Sequence, residues 1–313
     1  MKVYTDINHL PQFTNAVITI GTFDGVHLGH CRIIEQLIRE AEAVKGKPVL
    51  ITFYPHPKQV IDNLKKPLYI LNTPAEKYDL LYKKGIENIV VVPFDKPFAE
   101  QPALKYIKDF LVEKFHPHTI IIGYDHRFGN NREGDYRLLE NEAANYNFIV
   151  KEIPEHVLQD VIISSTKIRE ALQGGDIKTA AAYLGYDYFF SGKVIEGNKL
   201  GRKIGYPTAN LHIEDEKKLI PANGVYAVEV EIQSSQPGIR NFGGMMNIGV
   251  RPTMHGSKRV IEVNIFNFEE DIYGLDIKIT LKKWLRAEVK FPGLDALKAQ
   301  LAMDNTNAIE GLK

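Results

Sequence analysis

The chain has 313 residues, which is the usual size of two domains rather than one. Hydrophobic residues make up 44% of the sequence and charged residues 25%, and this balance excludes global disorder and collagen-like or coiled-coil architectures. Lys and Arg together number 39, as do Asp and Glu, so the net charge is zero and the basic footprint of a dedicated nucleic-acid binder is missing, although a local basic patch stays open.

The N-terminal half alternates short β-branched runs with helical patterns. Strands are predicted at 16–22, 48–53, 88–94 and 118–124, and helices at 31–46, 74–85 and 102–115. The first helix carries one apolar stripe, formed by Ile33, Ile34, Leu37, Ile38 and Ala41. Thr73, Pro74 and Glu76 have the residue types of an N-cap, a first helical position and a capping-box partner. The alternation indicates βαβ units on a parallel sheet.

The C-terminal half has a different pattern. Strand-like runs at 188–195, 224–232, 242–250, 260–266 and 276–284 are separated by Gly, Pro, Asn and Ser rather than by helices, until a helical run at 294–303. This order predicts antiparallel strands in a small barrel or sandwich closed by one helix. The boundary is expected just after a helix at 176–185, which gives domains of residues 1–185 and 186–313.

The cysteine content and the N-terminus bear on location. Cys31 is the only cysteine, so the chain has no intramolecular disulfide and no cysteine zinc ribbon, as expected in a reducing cytosol. The first ten residues lack the apolar region of a signal peptide, and no run reaches the roughly 18 apolar residues of a membrane span. We therefore expect a cytoplasmic protein with no membrane partner.

The segment GTFDGVHLGH, residues 21–30, lies where the first predicted strand ends and the first helix begins. Unpaired backbone N–H groups point at anions in this part of an α/β sheet. Gly21, Gly25 and Gly29 permit tight turns, and His27 and His30 share the first helical turn. Neither a GxxxxGK[ST] loop nor a GxGxxG fingerprint occurs. The histidines fit a phosphate site, but surface or capping histidines and a zinc site stay open at this point.

A second segment, ISSTKIR at 163–169, precedes another helical stretch. Ser164, Ser165 and Thr166 offer hydroxyl and backbone N–H donors, and Arg169 offers a guanidinium fork for an anion. Helix capping explains the same residues, so the segment alone does not decide between the two interpretations.

Together the two segments resemble the HxGH and ISSTxxR-type signatures of the nucleotidyltransferase superfamily. Residues 52–57, TFYPHP, and 123–135, GYDHRFGNNREGD, resemble segments of FMN adenylyltransferase domains, and 201–210, GRKIGYPTAN, resembles the riboflavin kinase signature. From about residue 15 to 300 the chain is similar to the bacterial bifunctional riboflavin kinase/FAD synthetase family. The resemblance implies a Rossmann-like α/β domain followed by an antiparallel β-barrel with a C-terminal helix. It also implies ATP, riboflavin and FMN as substrates, FMN and FAD as products, Mg²⁺ as cofactor, and no nucleic-acid partner.

For the N-terminal domain, the resemblance implies transfer of AMP from ATP to FMN. His27 and His30 are the implied catalytic residues, and they need no general base beside them because the attacking FMN phosphate is already an anion. The implied ATP-binding residues are Gly21, Phe23, Asp24, Gly29, Ser164, Ser165, Thr166 and Arg169. The implied flavin-binding residues are His56, Asp125 and Phe128. From the residues alone, a core Phe128, a turn Asp125 and a rigid-turn His56 stay open as alternatives, and His126 stands where many relatives have Phe.

For the C-terminal domain, the resemblance implies phosphoryl transfer from ATP to the ribityl hydroxyl of riboflavin. An alcohol benefits from a base, and Glu262 matches the family's strand glutamate. The implied ATP-binding residues are Gly201, Lys203, Gly205 and Thr208, with Thr208 and Asn210 as Mg²⁺ ligands. Arg286 is an implied flavin-binding residue, and pairing with a carboxylate is the alternative for it. Asn264, Asn267 and Ala287 depart from the family pattern and receive no role.

Two other functions stay open from the residues. One is a nucleotidyltransferase acting on a nicotinamide or pantetheine phosphate, against which PTAN and Glu262 argue. The other is a flavin-carrying or RNA-binding barrel with Phe266, Phe268 and Tyr273 as an aromatic platform, against which the zero net charge argues. The sequence does not predict an oligomeric state.

Overall fold

A computed structural model describes residues 1–61, 67–153, 163–197, 200–233, 238–253 and 256–313. The chain divides into two compact units, Met1–Ser165 and Thr166–Lys313. The domain boundary expected after residue 185 stays a prediction. In the described part of the chain, no helix is long and apolar enough to cross a membrane.

The first unit is a six-stranded sheet with helices on both faces. Its strands are β1 (Lys2–Tyr4), β2 (Val17–Ile20), β3 (Pro48–Tyr54), β4 (Asn88–Pro93), β5 (Thr119–Gly123) and β6 (Ile149–Ile153). Its helices are α1 (Leu28–Ala43), α2 (Pro57–Ile61), α3 (Pro74–Lys83), α4 (Lys96–Ala99), α5 (Ala103–Lys105), α6 (Glu113–Phe115) and α7 (Tyr136–Tyr146). The strands pair in parallel in the order β1-β4-β3-β2-β5-β6, which confirms the predicted parallel sheet.

The strand order places a ligand crevice. Starting from β2, the chain adds β3 and β4 on one side and then β5 and β6 on the other, so the order reverses between β2 and β5. In open α/β sheets, ligands bind outside the carboxyl ends of the strands at such a reversal. The segment from Gly21 to His27 follows β2 and therefore begins at this point.

Helix α1 covers one face of the sheet, and a second core covers the other face. Cys31, Ile34, Leu37 and Ala41 of α1 are buried, and the last three pack with alternate strand residues such as Val17. The remaining strand residues, including Ile18, face a second core on the other side of the sheet. The predicted apolar stripe is confirmed, since parallel strands need apolar cover on each face.

The capping box predicted at the start of α3 is also confirmed. Glu76 N donates to Thr73 Oγ1 over 3.4 Å, and Thr73 N donates to the Glu76 carboxylate over 2.8 Å. Pro74 follows the N-cap, as expected for a residue that has no N–H to satisfy.

The helix predicted at 102–115 is not regular, because a π-helical segment, Tyr106–Val112, separates α5 from α6. Phe110 and Phe115 are both buried, and their rings lie 5.5 Å apart in an edge-on contact. A turn with i to i+5 bonding brings residues five apart onto one face, so the wider turn suits this aromatic pair.

The second unit is a closed barrel of antiparallel strands. Its strands are β7 (Phe189–Ile195), β8 (Ala209–His212), β9 (Gly224–Gln233), β10 (Ile239–Thr253), β11 (Gly256–Ile265) and β12 (Asp276–Arg286), in the order β10-β11-β8-β7-β12-β9. Its helices are α8 (Ser165–Gln173), which begins on the last residue of the first unit, α9 (Ile177–Leu184), α10 (Leu200–Lys203) and α11 (Leu294–Gly311). The barrel, one of the two predicted architectures, is confirmed.

The C-terminal helix covers the outside of the barrel. Ala308 of α11 is buried against Ala227 of β9 and Met245 of β10, and Leu301 and Leu312 extend the contact. Small residues at Ala227 and Ala308 permit close approach of the helix to the strands. The helix is longer than the predicted 294–303 because its second half provides this packing.

Candidate active sites

The loop between β2 and α1 has an unusual backbone. Phe23 has φ +47°, Gly25 φ +89° and Val26 φ +37°. Glycine adopts positive φ freely, but a β-branched or aromatic residue does so at a cost of about 1–3 kcal/mol. Both Phe23 and Val26 are 1% exposed, so core packing holds them in this conformation. The phosphate loop, defined here as residues 21–27, is therefore fixed by its surroundings.

His27 and His30 form a stacked pair at the start of α1. His27 is the N-cap, and its Nδ1 accepts the His30 N–H over 3.4 Å. The two rings are 3.6 Å apart between centroids and 17° from parallel. A Cβ at Gly29 would lie 3.2 Å from the His27 ring, tighter than ordinary contacts, so glycine suits the position between the histidines.

Hydrogen bonding and burial define the protonation of this pair. The pKa of His30 lies well below its ordinary value because of burial and, to a lesser degree, the positive charges of His27 and Lys77. Within the described residues, His30 Nδ1 is buried and has no hydrogen-bond partner. Because Nδ1 of His27 is an acceptor, a neutral His27 carries its proton on Nε2. An unpartnered N–H costs more than an unpartnered lone pair, so Nε2 is also the favoured proton site of His30. His30 is thus a neutral N–H donor, and His27 can donate through Nε2.

The structure brings the two N-terminal sequence motifs together through Asp24 and Ser165. The Ser165 hydroxyl donates to the Asp24 carbonyl oxygen over 2.8 Å. Asp24 is 4% exposed, and its carboxylate accepts the N–H groups of Leu71, at 2.9 Å, and Asn72, at 3.3 Å. Asp24 and Phe23 are therefore buried residues that anchor the phosphate loop. Direct contact of either with ATP stays a prediction.

Lys77 is a buried charge that the sequence interpretation missed. It lies on α3 with 8% of its surface exposed, and its Nζ donates to Thr52 Oγ1 at 2.9 Å and to the Thr22 carbonyl oxygen at 3.2 Å. Burial lowers its pKa to about 8, against the opposing effect of the Asp24 charge. Its position four residues before the buried Leu81 was the signal for an inward-facing lysine.

The predicted flavin residues of the first unit occupy different surroundings. Asp125 is exposed after β5, and His56 precedes α2, where its Nδ1 accepts the Lys58 N–H over 3.2 Å. Phe128 is 6% exposed and stacks on Tyr106 with ring centroids 4.9 Å apart. The Phe128 ring is thus part of the core. A flavin contact by any of the three stays a prediction.

The remaining residues of the ISSTKIR segment lie around the start of α8. Ser164 precedes the helix, and Thr166 and Arg169 belong to the second unit, where Arg169 is 9% exposed. Their predicted binding of the ATP phosphates stays a prediction.

His126, the departure from the family pattern, is buried at Nε2 with no hydrogen-bond partner in the described part of the chain. Burial lowers its pKa to about 4, against the effect of Asp125. The ring is therefore neutral at physiological pH.

A second cluster of polar side chains lies on neighbouring barrel strands. Glu262 of β11 is the direct cross-strand partner of Asn210 on β8 and of Asn247 on β10. Directly opposed residues point to the same face of a sheet. Ile261 and Val263 are buried on the other face, so the three polar side chains lie outside the barrel core.

Two contacts fix this cluster. Arg251 Nη2 lies 2.7 Å from Glu262 Oε1 in an ion pair that is partly exposed. Asn264 Nδ2 donates to the Pro207 carbonyl oxygen over 2.7 Å and so fastens the segment that carries Thr208 and Asn210. Neither Arg251 nor Asn264 was given a role from the sequence.

Glycines bring backbone close to the same cluster. A Cβ at Gly197 would collide with the Asn210 amide, and one at Gly201 would collide with the Tyr206 carbonyl. Gly205 has φ +88°, which favours glycine. The side chain of Lys203, and all of Lys199, lie outside the described residues.

Arg286 pairs with a carboxylate, which is the alternative that the sequence left open. Its Nε and Nη2 donate to the Asp304 carboxylate at 2.9 and 2.6 Å, and Asp304 is 1% exposed. Gln300 Nε2 donates to the same carboxylate over 2.9 Å. The pair joins β12 to α11, and a flavin contact by Arg286 stays a prediction.

Comparison with known proteins gives consistent matches in both halves. Residues 10–167 match the family model described as FAD synthetase, and residues 184–312 match the one described as riboflavin kinase. A Haemophilus influenzae protein named bifunctional riboflavin kinase/FMN adenylyltransferase is 37% identical over 287 residues, which cover 92% of this chain and 91% of that protein. An Escherichia coli K12 protein of the same name is also 37% identical, over 99% of this chain and 97% of that protein.

A solved structure agrees with the fold along nearly the whole chain. It comes from Streptococcus pneumoniae and is titled a macrolide-efflux protein. The match has a TM-score of 0.84 and 30% sequence identity, and it covers 97% of each chain.

Proposed function

The chain belongs to the bifunctional riboflavin kinase/FMN adenylyltransferase family, and from this premise we propose which residues carry its two reactions. The C-terminal domain phosphorylates riboflavin to FMN with ATP. The N-terminal domain transfers AMP from ATP to FMN, which yields FAD and releases pyrophosphate. These activities decide against the alternative substrates and the binding-only function that the sequence left open.

For adenylyl transfer, the stacked pair of His27 and His30 is the observation that carries the assignment. A phosphate oxygen of FMN attacks the α-phosphorus of ATP, and the bond from that phosphorus to the bridging oxygen of pyrophosphate breaks. The nucleophile is already ionised, so the site needs donors rather than a base. The Nε2–H groups of the two imidazoles supply donors, and the N-terminus of α1 adds backbone N–H groups of the kind that a helix leaves without intrahelical partners.

The remaining N-terminal assignments follow from position. Gly21 and Gly29 allow the backbone and the His27 ring to pack closely around the phosphate loop. We assign Ser164, Ser165, Thr166 and Arg169 to the departing pyrophosphate. The Ser165 contact with Asp24 supports this assignment, since it attaches Ser165 to the phosphate loop. We place the flavin of FMN against His56, Asp125 and the Phe128 loop.

For the kinase reaction, we assign Glu262 as the general base. It takes the proton of the ribityl 5′-hydroxyl as that oxygen bonds to the γ-phosphorus, and the bond to the ADP oxygen breaks. The position of Glu262 beside Asn210 and Asn247 supports this role. Arg251 holds the carboxylate in place through its 2.7 Å ion pair. Gly201 and Gly205, with Lys203, are assigned to the ATP phosphates.

We propose Thr208 and Asn210 as the protein ligands of Mg²⁺. The donor set fits, because hard Mg²⁺ prefers oxygen ligands and is usually held by few protein groups together with substrate phosphates. The Asn210 amide rests in a cradle beside Gly197 that a Cβ would fill, and the Glu262 carboxylate is its cross-strand neighbour. When bound, Mg²⁺ would neutralise charge on the ATP phosphates.

We also propose a cytoplasmic location for the enzyme. The support is the cysteine content, since the single thiol, Cys31, is free and buried, as suits a reducing compartment.

A time course tests the proposed function. Purified protein is incubated with riboflavin, ATP and Mg²⁺, and riboflavin, FMN and FAD are separated by chromatography. FMN is expected first and FAD later. Formation of FMN without FAD, even after addition of FMN, would contradict the assignment of the histidine site.

A further inference from the structure

Lys77 is a buried residue whose ammonium group donates a hydrogen bond to the phosphate loop. Its two hydrogen-bond acceptors are neutral oxygens, of Thr22 in the loop and of Thr52 on β3. Lys77 itself lies on α3. One side chain therefore connects a helix and a strand to Thr22, the second residue of the phosphate loop.

The hydrogen bonds of Lys77 do little to offset the cost of burying its charge. A buried ammonium held by neutral acceptors is costly compared with an apolar side chain of similar length. The Thr22 carbonyl also keeps a donor without Lys77, because Thr52 Oγ1 donates to it over 3.1 Å. Burial of the Lys77 ammonium is costly, and its hydrogen bond to the Thr22 carbonyl can be replaced. Its contact with the phosphate loop therefore indicates a role in the reaction.

The charges near Lys77 indicate what that role is. The Asp24 carboxylate supports the ammonium charge, and Lys77 in turn acts electrostatically on His30. Asp24 is engaged by the backbone of Leu71 and Asn72, and His30 remains neutral. The positive charge of Lys77 is thus available to an anion bound at the loop.

We propose that Lys77 is a positioning residue for adenylyl transfer, which holds Thr22 so that the phosphate loop presents His27 and His30, and which supplies a fixed positive charge beside His30 for the ATP phosphates. This inference rests on the proposed assignment of the histidine site.

The test compares Lys77→Met with Lys83→Met, the same substitution at an exposed position of α3. The Lys83 side chain is 62% exposed and pairs with Asp79 on its own helix, so it provides a matched control. Misplacement of a catalytic group by about 1 Å costs roughly a hundredfold, so Lys77→Met is expected to lower kcat/KM for FAD formation from FMN by about tenfold to a hundredfold. Riboflavin phosphorylation by the same chain should be unchanged, and the melting temperature equal or higher. Lys83→Met should match the wild type in all three.

A second variant tests the connection through β3. Thr52→Val keeps the ammonium but removes the hydroxyl between Lys77 and Thr22, and a loss of FAD formation smaller than that of Lys77→Met is expected. If Lys77→Met melts below the wild type or fails to fold, its role is structural and the proposal is overturned. It is also overturned if Lys77→Met folds and keeps wild-type FAD formation.

His30→Ala separates this inference from the proposed function. If His30→Ala keeps full FAD formation, the histidine site itself is wrong. If His30→Ala loses FAD formation while Lys77→Met keeps it, the site stands and only the role of Lys77 is wrong.

Discussion

The two sites of this enzyme differ in how they are built, and the nucleophile accounts for the difference. The histidine site lies at a short loop with three positive φ angles, and its donors are imidazole N–H groups, of which that of His30 is neutral. The Glu262 site lies on regular barrel strands and offers a carboxylate. A phosphate nucleophile is already charged and needs donors at fixed positions, whereas an alcohol needs a base. The comparison predicts that a substitution in one site lowers the rate of that site's reaction and leaves the other reaction unchanged.

The largest effect is expected at Glu262. Glu262→Gln keeps the shape of the side chain but cannot take a proton, so riboflavin phosphorylation should fall by about 10²–10⁴-fold, the usual contribution of a general base. FAD formation from supplied FMN should stay at the wild-type rate. Chromatographic assays of the two half-reactions check both, and an equal loss in both reactions would remove the distinction between the sites.

The next largest effect is expected at His30. His30→Ala removes one N–H donor, and FAD formation should fall by about 10²–10³-fold, as for other single donors to a transition-state charge. His30→Gln should recover part of that loss, because the glutamine amide is also a neutral donor. If Gln were no better than Ala, the neutral-donor interpretation would be wrong.

A large effect on stability is expected at the Arg286–Asp304 pair. Asp304→Ala leaves the Arg286 guanidinium beside a cavity, and removing one partner of a buried pair costs roughly 3–5 kcal/mol. Because Arg286 is 21% exposed, the lower end of that range applies. Urea unfolding measures the loss. Wild-type stability would show that the pair does not hold α11 against β12.

The smallest effect is a pH dependence confined to the histidine site. With a pKa of about 8 in the folded protein and an ordinary value of 10.5, Lys77 binds its proton less tightly when folded. The unfolded chain therefore binds more protons between these two values, so the contribution of Lys77 to the free energy of unfolding rises with pH across that window.

The rate of FAD formation should fall over the pH range in which the contribution of Lys77 to the free energy of unfolding rises. As pH rises through 8, Lys77 loses its charge, and FAD formation should decline by a few-fold while stability does not. Lys77→Met should lack this decline, since it has no charge to lose. Initial rates of FAD formation from FMN between pH 7 and 9.5 check the prediction, and an identical decline in both proteins would assign it to another group.

Much of the architecture is predictable from local pattern. The strands with continuous β-branched runs and the capping box of α3 were all found, because their signals lie within a few residues. The edge strands β1 and β6 were missed, since their exposed residues give no clear alternation. Strand β8 was missed because it is only four residues long and its first two residues belong to the PTAN segment.

The sites are less predictable, because their contacts join residues far apart in sequence. The histidine pair was found from its spacing. Lys77 and Thr22 are 55 residues apart, and Arg286 and Asp304 are 18 apart on different elements. No local pattern specifies such pairs, so only the fold could place the ammonium under the phosphate loop or direct Arg286 to a buried carboxylate.

A mixing experiment tests most directly that the two reactions belong to two separate sites. His30→Ala and Glu262→Ala chains are each incubated with riboflavin, ATP and Mg²⁺, alone and in an equimolar mixture. The account predicts that the His30→Ala chain stops at FMN, that the Glu262→Ala chain leaves riboflavin largely unchanged, and that the mixture makes FAD through released FMN. FAD formation from riboflavin by either chain alone at the wild-type rate would contradict the account.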